Sequence, residues 1–211
     1  MIDEGYIKYQ CNWVVSDPVS VQDAQELNRW RNQLYRLGLI GEDEDGIGFG
    51  NISMRHSVPG QFIVSGTQTG HLSSLSEQHY TRVVDFDLEQ NCLSCEGGIK
   101  ASSESLTHAA VYEASSSVNA IIHVHNLELW KRLMYQVPTT SPDCAYGTPE
   151  MAKDIIRLFQ QENLIEKKIL VMSGHEAGII TFGENLDAAG KMLMRYFHFE
   201  VNVQNLLSRI Y

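Results

Sequence analysis

The sequence predicts a single α/β domain, and three observations carry that prediction. Apolar residues recur at steps of three and four along residues 20 to 37 and again after Thr148, the period of a helix with one buried face. Short runs rich in branched aliphatic residues, bounded by Gly, Pro, Asn and Ser, lie between and beyond those stretches and read as strands. The length of 211 residues, with 43% hydrophobic and 20% charged side chains, suffices for one buried core, and no linker-like stretch divides it.

Residues 1 to 19 offer only Trp13, Val14 and Val15 as core candidates and read as an arm or extra strand, packing on the body or on a neighbouring subunit. The first helix follows, with Val21, Ala24, Leu27, Trp30, Leu34 and Leu37 on its apolar stripe. Ser20 and Asp23 make its capping start and Gly38 its end. Glycines then cluster at 41, 46, 48 and 50. A dinucleotide fingerprint needs a strand before such glycines and a helix after them, whereas an acidic loop precedes these and a strand-like Ile52 to His56 follows. The pattern fits a tight turn whose exposed N–H groups, with Asn51, form a nest for an anion.

Gln61 to Ser65 is a second strand. It runs into Ser65-Gly66-Thr67-Gln68-Thr69-Gly70, another loop of small hydroxyl-bearing residues. Residues 76 to 79 read as a turn or short helix, 80 to 88 as a strand, and 89 to 91 as the hairpin turn before Cys92 to Cys95. After residue 125 come a helix-like piece to Tyr135 and an irregular segment with Pro138 and Pro142. A helix opens at Thr148-Pro149-Glu150, with Thr as cap and Pro at the first helical position, and continues to about Asn163. Lys168 to Met172 is a buried strand, residues 173 to 178 a turn, 179 to 182 its returning strand, and Asn185 opens a long last helix through Leu186, Ala189, Leu193, Phe197 and Val201.

Charge and composition exclude several classes of partner. With 16 Lys and Arg against 26 Asp and Glu, the formal net charge of −10 opposes nucleic acid and anionic membrane surfaces, so a small molecule or a protein is the expected partner. No apolar run matches a membrane-spanning helix and the first ten residues lack a signal-peptide pattern, from which a cytoplasmic protein is expected. The four cysteines are too scattered for a disulfide framework, and the lone pair Cys92 and Cys95 reads as a hairpin carrying two ordinary thiols.

The chemistry concentrates in residues 101 to 126. Val118 to His125 reads as a strand, and alternate side chains of a strand share a face, so His123 and His125 point the same way and can hold one ion. Upstream, Ser102 and Ser103 precede Glu104 at the start of a helix, with a serine as the expected N-cap and His108 one turn on from Glu104. A carboxylate beside a metal is placed to move protons, and hydroxyls with free N–H groups at a helix start attract anions. His108 reads as structural support, and His56, His71, His79 and His198 as surface or satisfied histidines.

Taken together, G-N-I-S-M-R at 50 to 55, T-G at 69 to 70, S-S-E-x-x-x-H-x-x-x-Y at 102 to 112, H-V-H at 123 to 125, Y-G-T-P-E at 146 to 150 and H-E-A-G-I-I-T-F-G from 175 resemble the class II aldolase/adducin family, over about residues 20 to 200. The resemblance implies a three-layer α/β/α fold with a mainly antiparallel central sheet, in one domain spanning residues 1 to 211 with 1 to 19 as its arm. It implies a homotetramer working in carbohydrate metabolism. Carried over by position, it makes His123, His125 and His175 the ligands of zinc or another divalent metal, and Glu104 the catalytic acid/base. Asn51, Thr69, Gly70, Ser102 and Ser103 become the binding site for substrate phosphate.

The chain departs from the family pattern at two places. The third histidine of the aldolases directly precedes the glycine of its turn, where this chain has Ala177; His175 stands two residues earlier, as if the turn carried a two-residue insertion. The aldolases also present a tyrosine from a neighbouring subunit shortly before the G-T-x-E helix start, where this chain has Asp143, with Tyr146 close by. The expected function is a zinc-dependent, aldolase-type lyase acting on a small sugar or hydroxycarbonyl compound, phosphorylated or not, through a metal-stabilised enediolate. The alternatives are an epimerase or dehydratase of the same family, or a non-catalytic adducin-like binding module. Because adducin-like chains lose ligand histidines, the retained His123, His125 and His175 favour the enzyme.

Overall fold

The computed structural model describes residues 6 to 207, with side chains described to residue 198. The first five residues of the N-terminal arm and the side chain of Val201, expected on the last helix's apolar stripe, lie outside the described residues. The elements in chain order are β1 (Gln10–Val14), α1 (Val21–Arg36), β2 (Gly41–Glu42), β3 (Gly48–Phe49), β4 (Asn51–Arg55), β5 (Phe62–Ser65), β6 (Tyr80–Asp87), β7 (Cys92–Gly97), α2 (Ser105–Ala114), β8 (Ala120–His125), α3 (Leu127–Leu133), α4 (Pro149–Gln161), α5 (Leu164–Lys167), β9 (Ile169–Val171), β10 (Gly178–Gly183) and α6 (Leu186–Leu207).

Eight strands form the central sheet in the order β1-β7-β6-β5-β4-β8-β10-β9, and β2 and β3 make a separate small ladder. Every pairing in the large sheet is antiparallel except β1 with β7, where Gln10 to Val14 run parallel to Cys92 to Glu96. The N-terminal arm is therefore an edge strand of the body.

Helices cover both faces, which makes the architecture three-layered. On one face Leu106, Ala109 and Ala110 of α2 and Met151, Ile155 and Leu158 of α4 pack on Ile121, Ile180 and Phe182. On the other, Leu27 and Leu34 of α1, Leu129 and Leu133 of α3 and Leu193 of α6 pack on Ile52, Ile122, Val124 and Ile179. The strand period of two assigns alternate residues of β8 to opposite cores. His123 and His125 thus join Ile121 on the face that α2 covers.

Most element boundaries fall within two residues of their expected positions. Ser20 caps α1 by accepting from Asp23 N, and Thr148 caps α4 by accepting from Met151 N, with Pro149 in the first turn. Two details differ. The N-cap of α2 is Glu104, not Ser102, which sits in the preceding turn and accepts from Ser105 N through its carbonyl. Val21 and Leu37, counted on the apolar stripe of α1, are exposed, because the helix meets the sheet through Ala24, Leu27, Arg31 and Leu34.

All four cysteines are free thiols. Cys92 and Cys95 lie in β7 as ordinary strand residues, and Cys95 faces Cys11 of β1 across 3.8 Å between sulfurs.

Candidate metal centre and anion pocket

The site lies where the C-terminal end of β8, the start of α2 and the turn before β10 meet. β8 delivers His123 and His125. The antiparallel partner β10 begins opposite His125, with Gly178 paired to it, so the turn carrying His175 folds over the two histidines. That turn is held by His175 N donating to Met172 O and Gly178 N donating to His175 O, with Ala177 at φ +65°. Gly178 lets the turn pack closely, since a Cβ there would crowd the His175 carbonyl oxygen at 3.0 Å and its ring at 3.2 Å. The turn brings His175 to the cluster: one nitrogen from each of His123, His125 and His175 lies within 4.8 Å of the others.

Glu104 points into the same spot. Its Oε2 is 2.9 Å from His123 Nε2 and its Oε1 is 2.8 Å from His175 Nδ1, all of it buried. His123 Nδ1 donates to Ile179 O at 3.2 Å, so in the neutral ring Nε2 carries the lone pair. That lone pair faces His125 Nε2 at 3.1 Å and a carboxylate oxygen at 2.9 Å. Neither Glu104 oxygen receives a hydrogen bond of normal geometry. Nitrogen and carboxylate atoms converging this closely in a buried site suit a cation among them. Two nitrogens bound to one tetrahedral zinc are about 3.3 Å apart at ordinary Zn–N lengths, close to the separation seen. The donor set therefore fits a divalent metal.

Electrostatics agree with that fit. Burial pushes the pKa of His125 well down, and His175 and His123 add to the shift, which keeps the imidazole neutral and free to ligate. For Glu104, burial pushes upward, but the neighbouring His123 and His175 outweigh it and hold the carboxyl well below its usual range. His108 sits behind the site with Nδ1 2.8 Å from Ser53 Oγ, which in turn meets Tyr112 OH at 2.8 Å. Burial, followed by the charge of His123, pushes its pKa down to about 3. It is a neutral strut.

Next to the histidines opens a narrow pocket of about 20 Å³, lined by Asn51, Thr69, Gly70, Ser102 and Ser103 together with Glu104 and His123. All five residues expected to hold an anion line it. The expected nest at Gly48 to Asn51 forms its other wall. Asn51 Nδ2 donates to Ser102 Oγ at 3.0 Å, and Thr69 Oγ1 donates to Gly66 O at 2.8 Å. Gly70 admits no side chain, since a Cβ would stand 2.1 Å from the Gly41 carbonyl oxygen.

Several neighbouring residues complete the site, of which only Tyr146 belongs to a motif read from the sequence. Phe49 stacks on His125 with ring centroids 5.1 Å apart and 14° between planes. Tyr146 leans on His175 at 4.7 Å, and Lys8 Nζ lies 3.8 Å above the Tyr146 ring, whereas Asp143 is exposed. Tyr9 OH donates to the carbonyls of Ser102 at 2.8 Å and Ala101 at 3.2 Å, anchoring the serine turn from the arm. Arg31, in α1, donates to the carbonyls of Thr69 and Gly70. For Arg31 a signal existed: it stands four residues from Leu27 and three from Leu34, on the stripe itself.

Comparison with solved structures finds the same fold. A sugar-phosphate aldolase from Thermotoga maritima superposes with TM-score 0.67 at 14% identity, covering 89% of this chain and 95% of that one. An L-fuculose 1-phosphate aldolase gives 0.66 at 16% identity over 92% and 89%. The L-fuculose-1-phosphate aldolase of Thermus thermophilus gives 0.64 at 18% over 90% and 97%. At these identities the likeness speaks for the fold alone. No curated protein sequence matches significantly. The family model described as class II aldolase and adducin N-terminal domain matches residues 34 to 198, from the end of α1 into α6 and across every residue of the histidine cluster. The chain belongs to the class II aldolase and adducin family.

Proposed function

We propose that this protein is a zinc-dependent, aldolase-type lyase that cleaves a small phosphorylated sugar or hydroxycarbonyl compound. The observation that carries this reading is the convergence of three imidazoles on a buried carboxylate, beside a pocket built of hydroxyls and small residues. His123, His125 and His175 hold the ion, which when bound supplies Lewis acidity to oxygens next to the bond that breaks. Imidazole ligands suit zinc, and manganese or cobalt in the same cage would serve the same role.

Glu104 is the acid/base. Its place between His123 and His175 sets its two oxygens at the centre of the site, where one can take a proton from the substrate and return it after cleavage. The low pKa of the carboxyl keeps it ionised, as a base must be. Asn51, Thr69, Gly70, Ser102 and Ser103 hold the substrate's phosphate and so fix the distance between that end and the reacting carbons. Tyr9, through the Ser102 carbonyl, keeps the serine turn in register with Glu104.

The family reading also makes the protein a homotetramer of the cytoplasm engaged in carbohydrate metabolism. One observation favours a second reading of the chemistry, epimerisation or dehydration. Asp143 rather than tyrosine precedes the helix start of α4, and Tyr146 on His175 is the phenol at hand.

The test begins with metal content by mass spectrometry. The purified protein carries near-stoichiometric zinc, and His123→Ala, His125→Ala and His175→Ala each lose it. Glu104→Gln keeps the metal and loses cleavage of sugar phosphates by about 10²-fold or more. A protein that neither holds nor takes up a divalent metal would sink the lyase and leave the adducin-like binding module.

A further inference from the structure

Arg31 is only 1% exposed, and its charge has no counter-ion among the described residues. Its Nη2 donates to the carbonyls of Thr69 at 2.9 Å and Gly70 at 3.1 Å. Its Nη1 is buried without a hydrogen-bond partner, and its guanidinium lies 5.0 Å from the Tyr35 ring. A buried cation without a carboxylate is costly, and carbonyl dipoles and an aromatic face offset only part of that cost. A guanidinium retained there for packing alone would be replaced by an apolar side chain of similar length at a gain in stability.

The carbonyls that Arg31 captures belong to the loop lining the anion pocket. A trans peptide points its C=O and the next N–H in opposite directions. With the carbonyls of Thr69 and Gly70 drawn toward Arg31, the N–H groups of Gly70 and His71 face away from it. Neither N–H donates a hydrogen bond among the described residues. Gly70 itself lines the pocket and cannot carry a Cβ. The loop is also held by Gly66 N to His79 O, Thr67 N to Lys100 O, Leu72 N to Thr69 O and Thr69 Oγ1 to Gly66 O, and Tyr35 OH of α1 donates to His71 O at 3.2 Å, with Gln68 at φ +57°. Among these anchors Arg31 is the one cation, and it alone bridges the Thr69 and Gly70 carbonyls.

We propose that Arg31 is a positioning residue for substrate binding: it sets the Thr69–Gly70 peptides as an anion cradle and supplies the uncompensated buried charge that selects a phosphomonoester dianion over a neutral hydroxyl end. The inference rests on the reading of this pocket as the phosphate subsite. Arg31 never touches the ligand, and it acts across one peptide unit. Polarised from its carbonyl end, the Thr69–Gly70 peptide carries a more positive N–H at Gly70, a residue that lines the pocket.

The experiment is a calorimetric titration of the metal-loaded protein with inorganic phosphate, in the wild type and in Arg31→Gln, Arg31→Lys and Ser102→Ala. The expected result is that Arg31→Gln weakens phosphate binding about tenfold, with metal content unchanged, and that Arg31→Lys restores part of the loss. Ser102→Ala weakens binding as well, which places the ion in the pocket rather than on the metal alone. If Arg31→Gln binds phosphate as tightly as the wild type while Ser102→Ala does not, the role of Arg31 is overturned and the pocket stands. A purely structural Arg31 would lower the melting temperature of Arg31→Gln and leave the affinity of the folded protein unchanged, which also overturns it. If the wild type binds no phosphate, or Ser102→Ala makes no difference, the subsite reading fails and the inference with it. Should Arg31→Gln not fold, the wild type decides by nuclear magnetic resonance. Phosphate must shift the amides of Gly70 and His71 together with the Arg31 guanidinium, and an unperturbed Arg31 rejects the proposal.

Discussion

His108 shows how a buried, neutral imidazole ties stability to pH. Its pKa is pushed down to about 3 in the fold, while an unfolded chain titrates it near 6.5. Between those values the unfolded state binds more protons, so this residue's contribution to stability falls as pH falls through that window and is fully present above it. His108→Asn, which keeps a polar group near Ser53 and cannot titrate, is expected to flatten the acid side of the melting-temperature curve. Thermal scans from pH 7 to pH 4 with excess chelator, which removes any contribution from metal loss, measure this directly. Equal slopes in the two proteins would show that another group governs the acid limb. At this scale the sequence was informative where residue type and spacing determine chemistry. His123 and His125 at alternate strand positions face one way on any strand, and Glu104 one helical turn from His108 follows from α2. Arg31 was legible only as an anomaly, a cation on an apolar stripe, and Tyr9, 93 residues from the Ser102 carbonyl it holds, left no local trace.

Capping shows the same relation for whole elements. Thr148 accepts from Met151 N at 3.4 Å, and its hydroxyl donates to Ala145 O at 2.7 Å, so it both starts α4 and shapes the bend that sets Tyr146 against His175. Thr148→Ala is expected to cost about 1 kcal/mol, read as a shift of the urea midpoint with unchanged slope. A cost near zero would mean that Pro149 and packing alone define the helix start. The Ser20 and Thr148 caps were visible in sequence because both obey local hydrogen-bonding preferences. The start of α2 was not. Ser102 has the better capping chemistry, but its hydroxyl is taken by Asn51 Nδ2 from β4, and the helix begins at Glu104 instead. A long-range contact outweighed a local preference.

The molecule as a whole is built on one large sheet with a core on each face, and it is expected to unfold as a unit. Leu106 of α2 and Leu193 of α6 lie on opposite sides of the sheet, both essentially buried. Leu106→Ala and Leu193→Ala should each cost about 2–5 kcal/mol, nearly additively because the two share no neighbours in a cluster. Each should shift a single transition that far- and near-ultraviolet circular dichroism report together. Two separate transitions in either variant would show that the layers fold independently. By itself the sequence determined the α/β class, nearly every element, and the identity of the ligating and phosphate-pocket candidates, because periodicity, caps and short motifs are local properties. The tertiary structure decided that β1 lies parallel at the sheet edge and that the turn before β10 carries His175 to the cluster. It alone placed Arg31 behind the Thr69–Gly70 loop. Those outcomes depend on strand order and on contacts between residues far apart in the chain, and no window of sequence contains both partners.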